Sequence, residues 1–406
     1  MMLVVPTTYQ KERGVLLLII VVGCLCKMYV GKWKIHPSIF HIGIACVTVS
    51  LSFMLYGLFN DAPGAFSVGT VYVVWPLLFM FFMGFLNDPA YFDGFIKMII
   101  VGVIVSAVMG ILLVFEGFGL INLNINSFLE VQGAGFGIND GTLEYNLYNM
   151  TTIIFGFPFL LSLVLLPKKI NVLSKFWNYL VLFALMSALF ALLISGRRAF
   201  WVISFASPLI LFVIFRMSGL ANPFKLRPII VIILLISFAS FIWSAAFKLS
   251  PIDIIYDILA GFDFSDSSNF SSFARTEQFH ALLNGWMDNP LLGSGHGAAA
   301  LGSVRSDEQA WAYELTYLAL LFQVGLIGVI VYSSAVLWMF VKSIRLVRAN
   351  PESAAMLLPL LVGLTCFLIA NATNPYLAKF DYLWTIFLPI GILNAYLLRG
   401  SIRHHL

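Results

Sequence analysis

Charged residues are scarce in this sequence: they make up 10% of its 406 residues, whereas 61% are hydrophobic. Soluble globular chains carry about 25% charged residues, so the low charge excludes water as the main solvent. The apolar residues also occur in blocks that are long enough, as helices, to cross about 30 Å of hydrocarbon. The sequence therefore predicts an all-α, polytopic membrane helix bundle.

Several functional signatures are also missing. The four cysteines all lie within apolar segments, which is typical of small buried residues and not of metal ligands or disulfides. The formal charge is only +4, and no basic run alternates with aromatic residues, so nucleic acid is not an expected partner. No metal-ligand spacing, phosphate-binding loop or Ser/His/Asp signature is present. We therefore predict no metal and no cofactor.

Apolar blocks of helix length recur along the chain and predict about eleven membrane spans. They cover residues 14–30, 38–59, 66–86, 93–115, 146–166, 175–194, 198–216, 227–247, 311–340, 354–373 and 380–398. The predicted organisation has three parts. Segment 1–247 contains helices 1 to 8 with an outer loop at 116–145, segment 248–310 is a long outer loop, and segment 311–406 contains helices 9 to 11 and a cytoplasmic tail.

Basic residues are unevenly distributed among the connecting segments. Three loops hold Lys168, Lys169 and Lys175, then Arg216, Lys225 and Arg227, then Lys342, Arg345 and Arg348. Cytoplasmic loops are enriched in Lys and Arg, so these three loops and the C-terminal tail are predicted to be cytoplasmic. Segment 116–145 contains four acidic residues and neither Lys nor Arg. That segment and 248–310 are therefore predicted to face outward.

The long outer segment is predicted to contain an amphipathic helix from about residue 273 to 288, lying on the membrane domain. Its apolar residues at helical spacing are Phe279, Leu282, Leu283, Trp286 and Met287. Its polar face holds Glu277, His280, Asn284 and Asp288. Arg275 falls on the apolar stripe and therefore points inward. Two interpretations of Arg275 stay open: its side chain snorkels to water, or it binds a ligand.

Two other arginines stand where membrane proteins seldom place them. Ser195-Gly196-Arg197-Arg198 joins two spans at an end that the topology assigns to the outside. The alternatives are interfacial snorkelling and a turn that presents guanidinium groups to a phosphate or carboxylate. We favour the anion site.

Glu314 lies at the start of the predicted ninth span, and its helical stripe continues through Tyr317, Leu321, Gly325 and Gly328. Charge inside a membrane is costly and usually functional, so this carboxylate is predicted to face the bundle or a water-filled cavity. The alternative is a structural partner for Arg198 or Arg275.

Two further patterns concern the fifth span and the turn before the ninth. Tyr145, Asn149, Thr152 and Gly156 form a stripe on the predicted fifth span, which either borders the same cavity or makes hydrogen bonds between helices. Gly293-Ser-Gly-His-Gly297 lacks the strand and helix context of a phosphate-binding loop, so a flexible turn is predicted there.

Four motifs between residues 195 and 330 occur in a recognisable order. They are Ser195-Gly-Arg-Arg-Ala199, Ala274-Arg275, Asn289-Pro-Leu-Leu-Gly-Ser-Gly295 and Tyr317-Leu-x-Leu-Leu-x-x-x-Gly-Leu-Ile-Gly328. In these motifs the chain resembles the bacterial O-antigen polymerase and O-antigen ligase superfamily, whose members are membrane glycosyltransferases that use undecaprenyl-diphosphate-linked glycans. The resemblance implies a bundle like that of the lipid-linked, C-type glycosyltransferases. It also implies metal-independent, inverting transfer on the periplasmic side of the bacterial inner membrane.

The resemblance also suggests residue roles. Arg198 and Arg275 match the diphosphate-binding arginines of the family, and Arg197 is grouped with them although it has no clear counterpart. Ligases of the family typically carry a His and a small polar residue where this chain has Glu314 and Leu315, which favours a polymerase. Arginines can stabilise a departing diphosphate, and Glu314 is the best candidate for the base that deprotonates the attacking hydroxyl.

The expected function is thus polymerisation of surface polysaccharide in lipopolysaccharide biosynthesis, with Tyr145, Asn149 and Tyr317 lining the cavity. Expected partners are the lipid-linked donor and acceptor, membrane lipids, a chain-length regulator and a flippase. The alternatives are an O-antigen ligase acting on lipid A-core, a flippase or other transporter, and a non-catalytic assembly partner. The long outer segment and the lack of related halves speak against a transporter.

Overall fold

The computed structural model describes residues 3, 10–88, 91–124, 135–139, 142–146, 149–166, 173–195, 197–219, 237, 270–302 and 309–403. Within this part the chain is helical except for one antiparallel hairpin, formed by β1 (Gly135–Asn139) and β2 (Thr142–Asn146). The predicted all-α class is therefore confirmed, with the hairpin as an addition. The sequence between the two strands is Asp140-Gly141, a pair that two-residue hairpin loops favour.

The helices of the described residues are named here in chain order. They are α1 (Gln10–Tyr29), α2 (Pro37–Phe59), α3 (Ala65–Phe82), α4 (Phe92–Gly117), α5 (Met150–Leu165), α6 (Lys175–Leu193), α7 (Arg198–Met217), α8 (Phe270–Asp288), α9 (Thr316–Ala349), α10 (Ala354–Ala370) and α11 (Trp384–Arg403). A π-helical turn, Thr70–Val74, lies within α3. Short 3₁₀ turns occur at Met83–Phe85, Pro351–Ser353, Asn371–Thr373 and Phe380–Tyr382.

Seven helical stretches in the described residues are long and apolar enough to cross a membrane. They are Pro37–Phe59, Ala65–Phe82, Phe92–Gly117, Lys175–Leu193, Ala199–Met217, Thr316–Ala349 and Pro351–Thr373. Shorter apolar stretches occur at Gly14–Tyr29, Met150–Leu165 and Trp384–Arg399. Each of these stretches overlaps a predicted span, and the predicted span at 227–247 lies outside the described residues except for residue 237. A multi-pass helical membrane protein is thus confirmed, whereas the count of eleven spans stays a prediction.

Contacts divide the chain into two compact units. The first unit contains Met1–Ile19, Asp88–Ala260 and Ile344–Ala370, and the second contains Ile20–Asn87, Gly261–Ser343 and Asn371–Leu406. The predicted outer-loop helix is α8, which belongs to the second unit and ends at the expected residue.

Two almost completely buried helices, α5 and α10, form the centre of the first unit. Every residue of α5 except Val164 is buried, and so are 14 of the 17 residues of α10. A helix that is apolar on all sides can be buried in protein or can face lipid, and here α4, α6 and α7 pack around the α5–α10 pair. Small residues allow the close approach: a Cβ added at Gly363 would lie 2.9 Å from the carbonyl oxygen of Phe155.

In the second unit, loops that the topology assigns to one side of the membrane contact each other. At the predicted cytoplasmic end, Asn394 Oδ1 accepts from the His36 N–H over 2.7 Å, and Asn87 Nδ2 donates to the Lys34 carbonyl over 2.7 Å. At the predicted outer end, the Gly64 N–H donates to the Gly297 carbonyl over 3.0 Å. The side of the membrane to which each end belongs stays a prediction.

The long helix α9 is interrupted at Gly325, whose backbone angles are φ 58° and ψ −170°. The segment 290–295 inserts into this break and bonds to the backbone on both sides of it. The Leu326 and Ile327 N–H groups donate to the carbonyls of Pro290 and Leu291, while the Ser294 and Gly295 N–H groups donate to those of Phe322 and Gln323. The predicted stripe from Glu314 through Gly325 to Gly328 is therefore wrong at its two ends, because the helix begins at Thr316 and is interrupted at Gly325. The turn at 293–297 is not a free flexible loop, since it is packed into this break.

Replacing Gly325 with alanine is expected to lower the yield and melting temperature of the folded protein strongly. Backbone angles in this region are almost restricted to glycine and cost other residues about 1–3 kcal/mol. An added Cβ would also lie only 2.2 Å from the carbonyl oxygen of Leu291, so the inserted segment would have to move. Thermal unfolding of the detergent-solubilised protein measures the effect.

Gly14→Ala is the matched control for this substitution. Gly14 lies in α1 with no atom within 4 Å of an added Cβ, so alanine there should be neutral or slightly stabilising. Equal melting temperatures for Gly325→Ala and Gly14→Ala would contradict the broken helix.

Candidate functional site

Arg275 on α8 and Glu314, just before α9, form an ion pair within the second unit. Arg275 Nε donates to Glu314 Oε2 over 2.9 Å, and the two side chains are 23% and 24% exposed. The structure thus shows a pairing that sequence analysis left as an alternative, with Arg275 as the partner. Glu314 lies outside the helix that was expected to begin with it, because α9 starts two residues later.

The backbone around Glu314 is fixed by hydrogen bonds on both sides. The Glu314 N–H donates to Gln278 Oε1 over 2.9 Å, and the Thr316 N–H donates to the Glu314 carbonyl over 2.9 Å. Thr316 Oγ1 in turn donates to the carbonyl of Asn374 over 3.0 Å. Gln278 and Arg275 are three residues apart on α8 and therefore neighbours on its surface. One helix thus holds both the backbone and the carboxylate of Glu314.

The residue before Glu314 anchors this segment to an apolar core. Tyr313 is 2% exposed, and its hydroxyl accepts a 2.6 Å hydrogen bond from the Ala300 N–H. Burial raises the pKa of Tyr313, and the hydrogen bond from Ala300 partly opposes this rise. The buried residues of this core are Leu282, Ala298, Ala300, Tyr313, Ala319 and Phe322. The apolar core therefore fixes the position of the segment that carries Glu314.

Arg275 keeps hydrogen-bonding capacity beyond its bond to Glu314. A guanidinium has five N–H donors, and only Nε donates to a partner among the described residues. Its two terminal amino groups form a fork that matches the oxygens of a phosphate. The partly exposed side chain can therefore bind an anion while it stays bonded to the carboxylate.

A polar cleft of about 690 Å³ lies along α8 in the same unit. This volume falls within the range of about 300–1,000 Å³ that is typical of ligand sites. Its polar side chains come from Tyr56, Asn60, Asp61, Asn284, Asp288, Asn289 and Ser294. Asn289 Nδ2 donates to the Tyr56 hydroxyl over 3.1 Å, so part of this lining is held in place.

His296 occupies a buried position behind the inserted segment. Its ring stacks on Tyr72 with centroids 5.0 Å apart, and Nε2 lies 3.2 Å from the Tyr332 hydroxyl. The Tyr332 hydroxyl also lies 2.7 Å from Ser50 Oγ. Burial lowers the pKa of His296 to about 4, against a smaller opposite effect of Gln323. The neutral imidazole therefore anchors the segment, and its full burial removes it from contact with substrate.

The other predicted arginines belong to the first unit. Arg197 immediately precedes α7, its guanidinium carbon lies 5.8 Å from the ring centroid of Phe200, and its buried Nε has no hydrogen-bond partner among the described residues. Arg198 is the first residue of α7, and its side chain lies outside the description. The diphosphate-binding roles of both residues stay predictions.

The polar stripe predicted on the fifth span does not form as a helical stripe. Tyr145 lies in β2, paired with Phe136, and its side chain is outside the described part. The helix α5 begins only at Met150, because the hairpin takes up the residues before it. Asn149 is buried and donates from Nδ2 to Ser106 Oγ over 2.9 Å, so it bonds to another helix, α4. Tyr317, the third predicted cavity residue, is 40% exposed in the first turn of α9.

Sequence analysis missed the cleft and Gln278. Asn284 and Asp288 fall on the predicted polar face of α8, but the sequence assigns them no role in binding. A signal was present, because Ala281, Asn284, Gly285 and Asp288 share one helical face that mixes small and polar residues. The opposite wall comes from the loop after α2, more than two hundred residues earlier, which no local pattern reveals.

The fold and these groups define a multi-pass helical membrane protein with an arginine-carboxylate pair and a polar cleft in one unit. Comparison with protein-family models, with curated proteins and with solved structures found no match to this chain.

Proposed function

We propose that this chain is a membrane glycosyltransferase that polymerises surface polysaccharide from undecaprenyl-diphosphate-linked repeat units, as O-antigen polymerases do. The observation that carries the proposal is the ion pair between Arg275 and Glu314, which places an anion-binding group and a candidate base side by side. The pair lies on a segment that the topology assigns to the outer face, where completed lipid-linked repeats are joined. The four sequence motifs support the same function.

In the proposed reaction, a hydroxyl of one lipid-linked glycan attacks the anomeric carbon of another. The bond between that carbon and the diphosphate oxygen breaks with inversion, and a glycosidic bond forms. The terminal amino groups of Arg275 bind the departing undecaprenyl diphosphate and stabilise its growing negative charge. Glu314 takes the proton of the attacking hydroxyl. The arginine charge replaces a metal ion, and the expected activity is metal-independent.

The proposed location is the bacterial inner membrane, with the active site on the periplasmic side. The lipid-linked donor and acceptor lie in the same bilayer as the enzyme. Their undecaprenyl tails therefore stay in the lipid and need no binding pocket in an outer loop. A flippase that delivers the repeats and a chain-length regulator are the proposed partners.

Deletion of the gene tests this function directly. The expected result is lipid A-core that carries single repeats in place of a laddered polymer, with restoration of the ladder by the wild-type gene. Gel analysis and mass spectrometry of the surface glycan make the measurement. An unchanged ladder would rule the function out. Full-length polymer that stays on its lipid carrier would show a ligase instead, and repeats trapped on the cytoplasmic face would show a flippase.

A further inference from the structure

We infer that the cleft beside α8 binds a neutral sugar residue of the glycan, at a distance from the reacting diphosphate. This inference rests on the proposed function for the identity of the substrate, but binding in the cleft can be measured without catalysis. The cleft has a volume of about 690 Å³ and lies entirely within the second unit.

The chemistry of the lining fits a sugar. Asp61 and Asp288 provide carboxylates that accept hydrogen bonds from neighbouring hydroxyls, whereas carboxamides both donate and accept. The carboxamides belong to Asn60, Asn284 and Asn289. A phosphate or an acidic sugar would meet two negative charges here, and none of the described lining residues is Lys or Arg. The lining therefore favours the hydroxyl groups of an uncharged sugar.

Small residues line part of the cleft. Gly285 lets α8 pack closely against Phe322, since a Cβ added there would lie 2.7 Å from the ring. Ala281, Ala298 and Ala300 complete this apolar surface, against which the C–H face of a sugar can pack. The lining thus combines small apolar residues with polar groups, a combination that is typical of specific ligand sites.

The position on α8 separates the cleft from the ion pair. Asn284 and Asp288 follow Arg275 by nine and thirteen residues, which corresponds to about 14–20 Å along a helix axis. A sugar bound in the cleft is therefore too far from Arg275 to be the sugar whose bond to the diphosphate breaks. The cleft instead holds a more distant residue of the same glycan or of the acceptor, and so selects for the composition of the repeat.

The test compares two carboxylates of the same helix. Asp288 and Glu277 are both exposed on α8, but only Asp288 lines the cleft. The probes are lipid-free, phosphate-free oligosaccharides of bacterial surface polysaccharides, presented on a glycan array to the purified full-length protein. Asp288→Ala should weaken binding of the captured oligosaccharide by about tenfold or more, because a hydrogen bond to a charged group is lost. Glu277→Ala should bind as the wild type does.

Several outcomes would overturn the inference. They are wild-type affinity of Asp288→Ala, equal weakening by Glu277→Ala, and capture of none of the oligosaccharides. A divalent cation is the alternative occupant of the cleft, and a titration with calcium alone tests it. Saturable calcium binding that depends on Asp288, together with no sugar binding, would show a cation site. Sugar binding in a protein whose deletion leaves the polymer unchanged would uphold the cleft and reject the polymerase.

Discussion

Replacement of Glu314 with glutamine is expected to lower turnover of the purified protein by about 10²–10⁴-fold, the usual contribution of a general base. Glutamine has the same shape and can still accept the hydrogen bond from Arg275 Nε, which spans 2.9 Å in the wild type. It cannot accept the proton of the attacking hydroxyl. The assay measures turnover of a synthetic undecaprenyl-diphosphate oligosaccharide, normalised to folded protein.

The same substitution separates catalysis from positioning. If Glu314 only orients Arg275, glutamine keeps most of that orientation, and the specific activity of the folded variant should stay near that of the wild type. In cells, loss of a base should abolish the polymer and leave single repeats, as deletion of the gene does. Glu277→Gln, which changes an exposed carboxylate elsewhere on α8, controls for the loss of charge and should have no effect. Near-normal turnover of Glu314→Gln would end the assignment of a base.

Replacement of Arg275 with lysine is expected to reduce turnover by about 10²–10³-fold, the range seen when one group that stabilises a developing charge is removed. Lysine keeps the charge but offers a single point donor, whereas the guanidinium fork contacts two phosphate oxygens at once. Lysine also lacks the Nε–H that bonds to Glu314. Initial rates at several concentrations of the lipid-linked donor measure the loss.

Arg345→Lys is the matched control for this change. Arg345 is exposed near the end of α9 that the topology places in the cytoplasm, so its replacement should leave both turnover and melting temperature unchanged. If the Arg275→Lys protein folds normally and polymerises at the wild-type rate, Arg275 does not bind the diphosphate and its side chain only snorkels to water. The Arg275 and Glu314 substitutions together test both halves of the ion pair.

Local patterns were sufficient to predict the helices and part of the inward face of α8, on which Leu282 is buried, whereas Phe279 and Met287 are exposed. Hydrophobicity along the chain determines where a membrane helix can form, and the helical spacing of Leu282 and Trp286 placed Arg275 on the packed side. The error at Tyr145 has a local cause as well. Residues four apart form a stripe on a helix and also share one face of a strand, so the polar spacing alone did not exclude β2.

The remaining features depend on segments that are distant in sequence. Gly325 has no local signal for a break, because the segment 290–295 supplies the bonds that stabilise it. The partner of Glu314 was undecided between two arginines, since a pairing across thirty-nine residues follows from packing and not from spacing. The cleft combines two such segments, so its polar residues were visible only as separate exposed side chains.

The interlocked segment at 290–295 also has a consequence for biosynthesis. The ribosome synthesises this segment before α9, which carries its four backbone hydrogen-bond partners. The four hydrogen bonds therefore cannot form until α9 has also been synthesised. The newly delivered outer segment must wait until the following span has entered the bilayer and broken at Gly325. The part of the cleft lining at Gly293 and Ser294 and the core beneath Glu314 therefore form only after α9 has been inserted. A nascent chain that ends before α9 has neither.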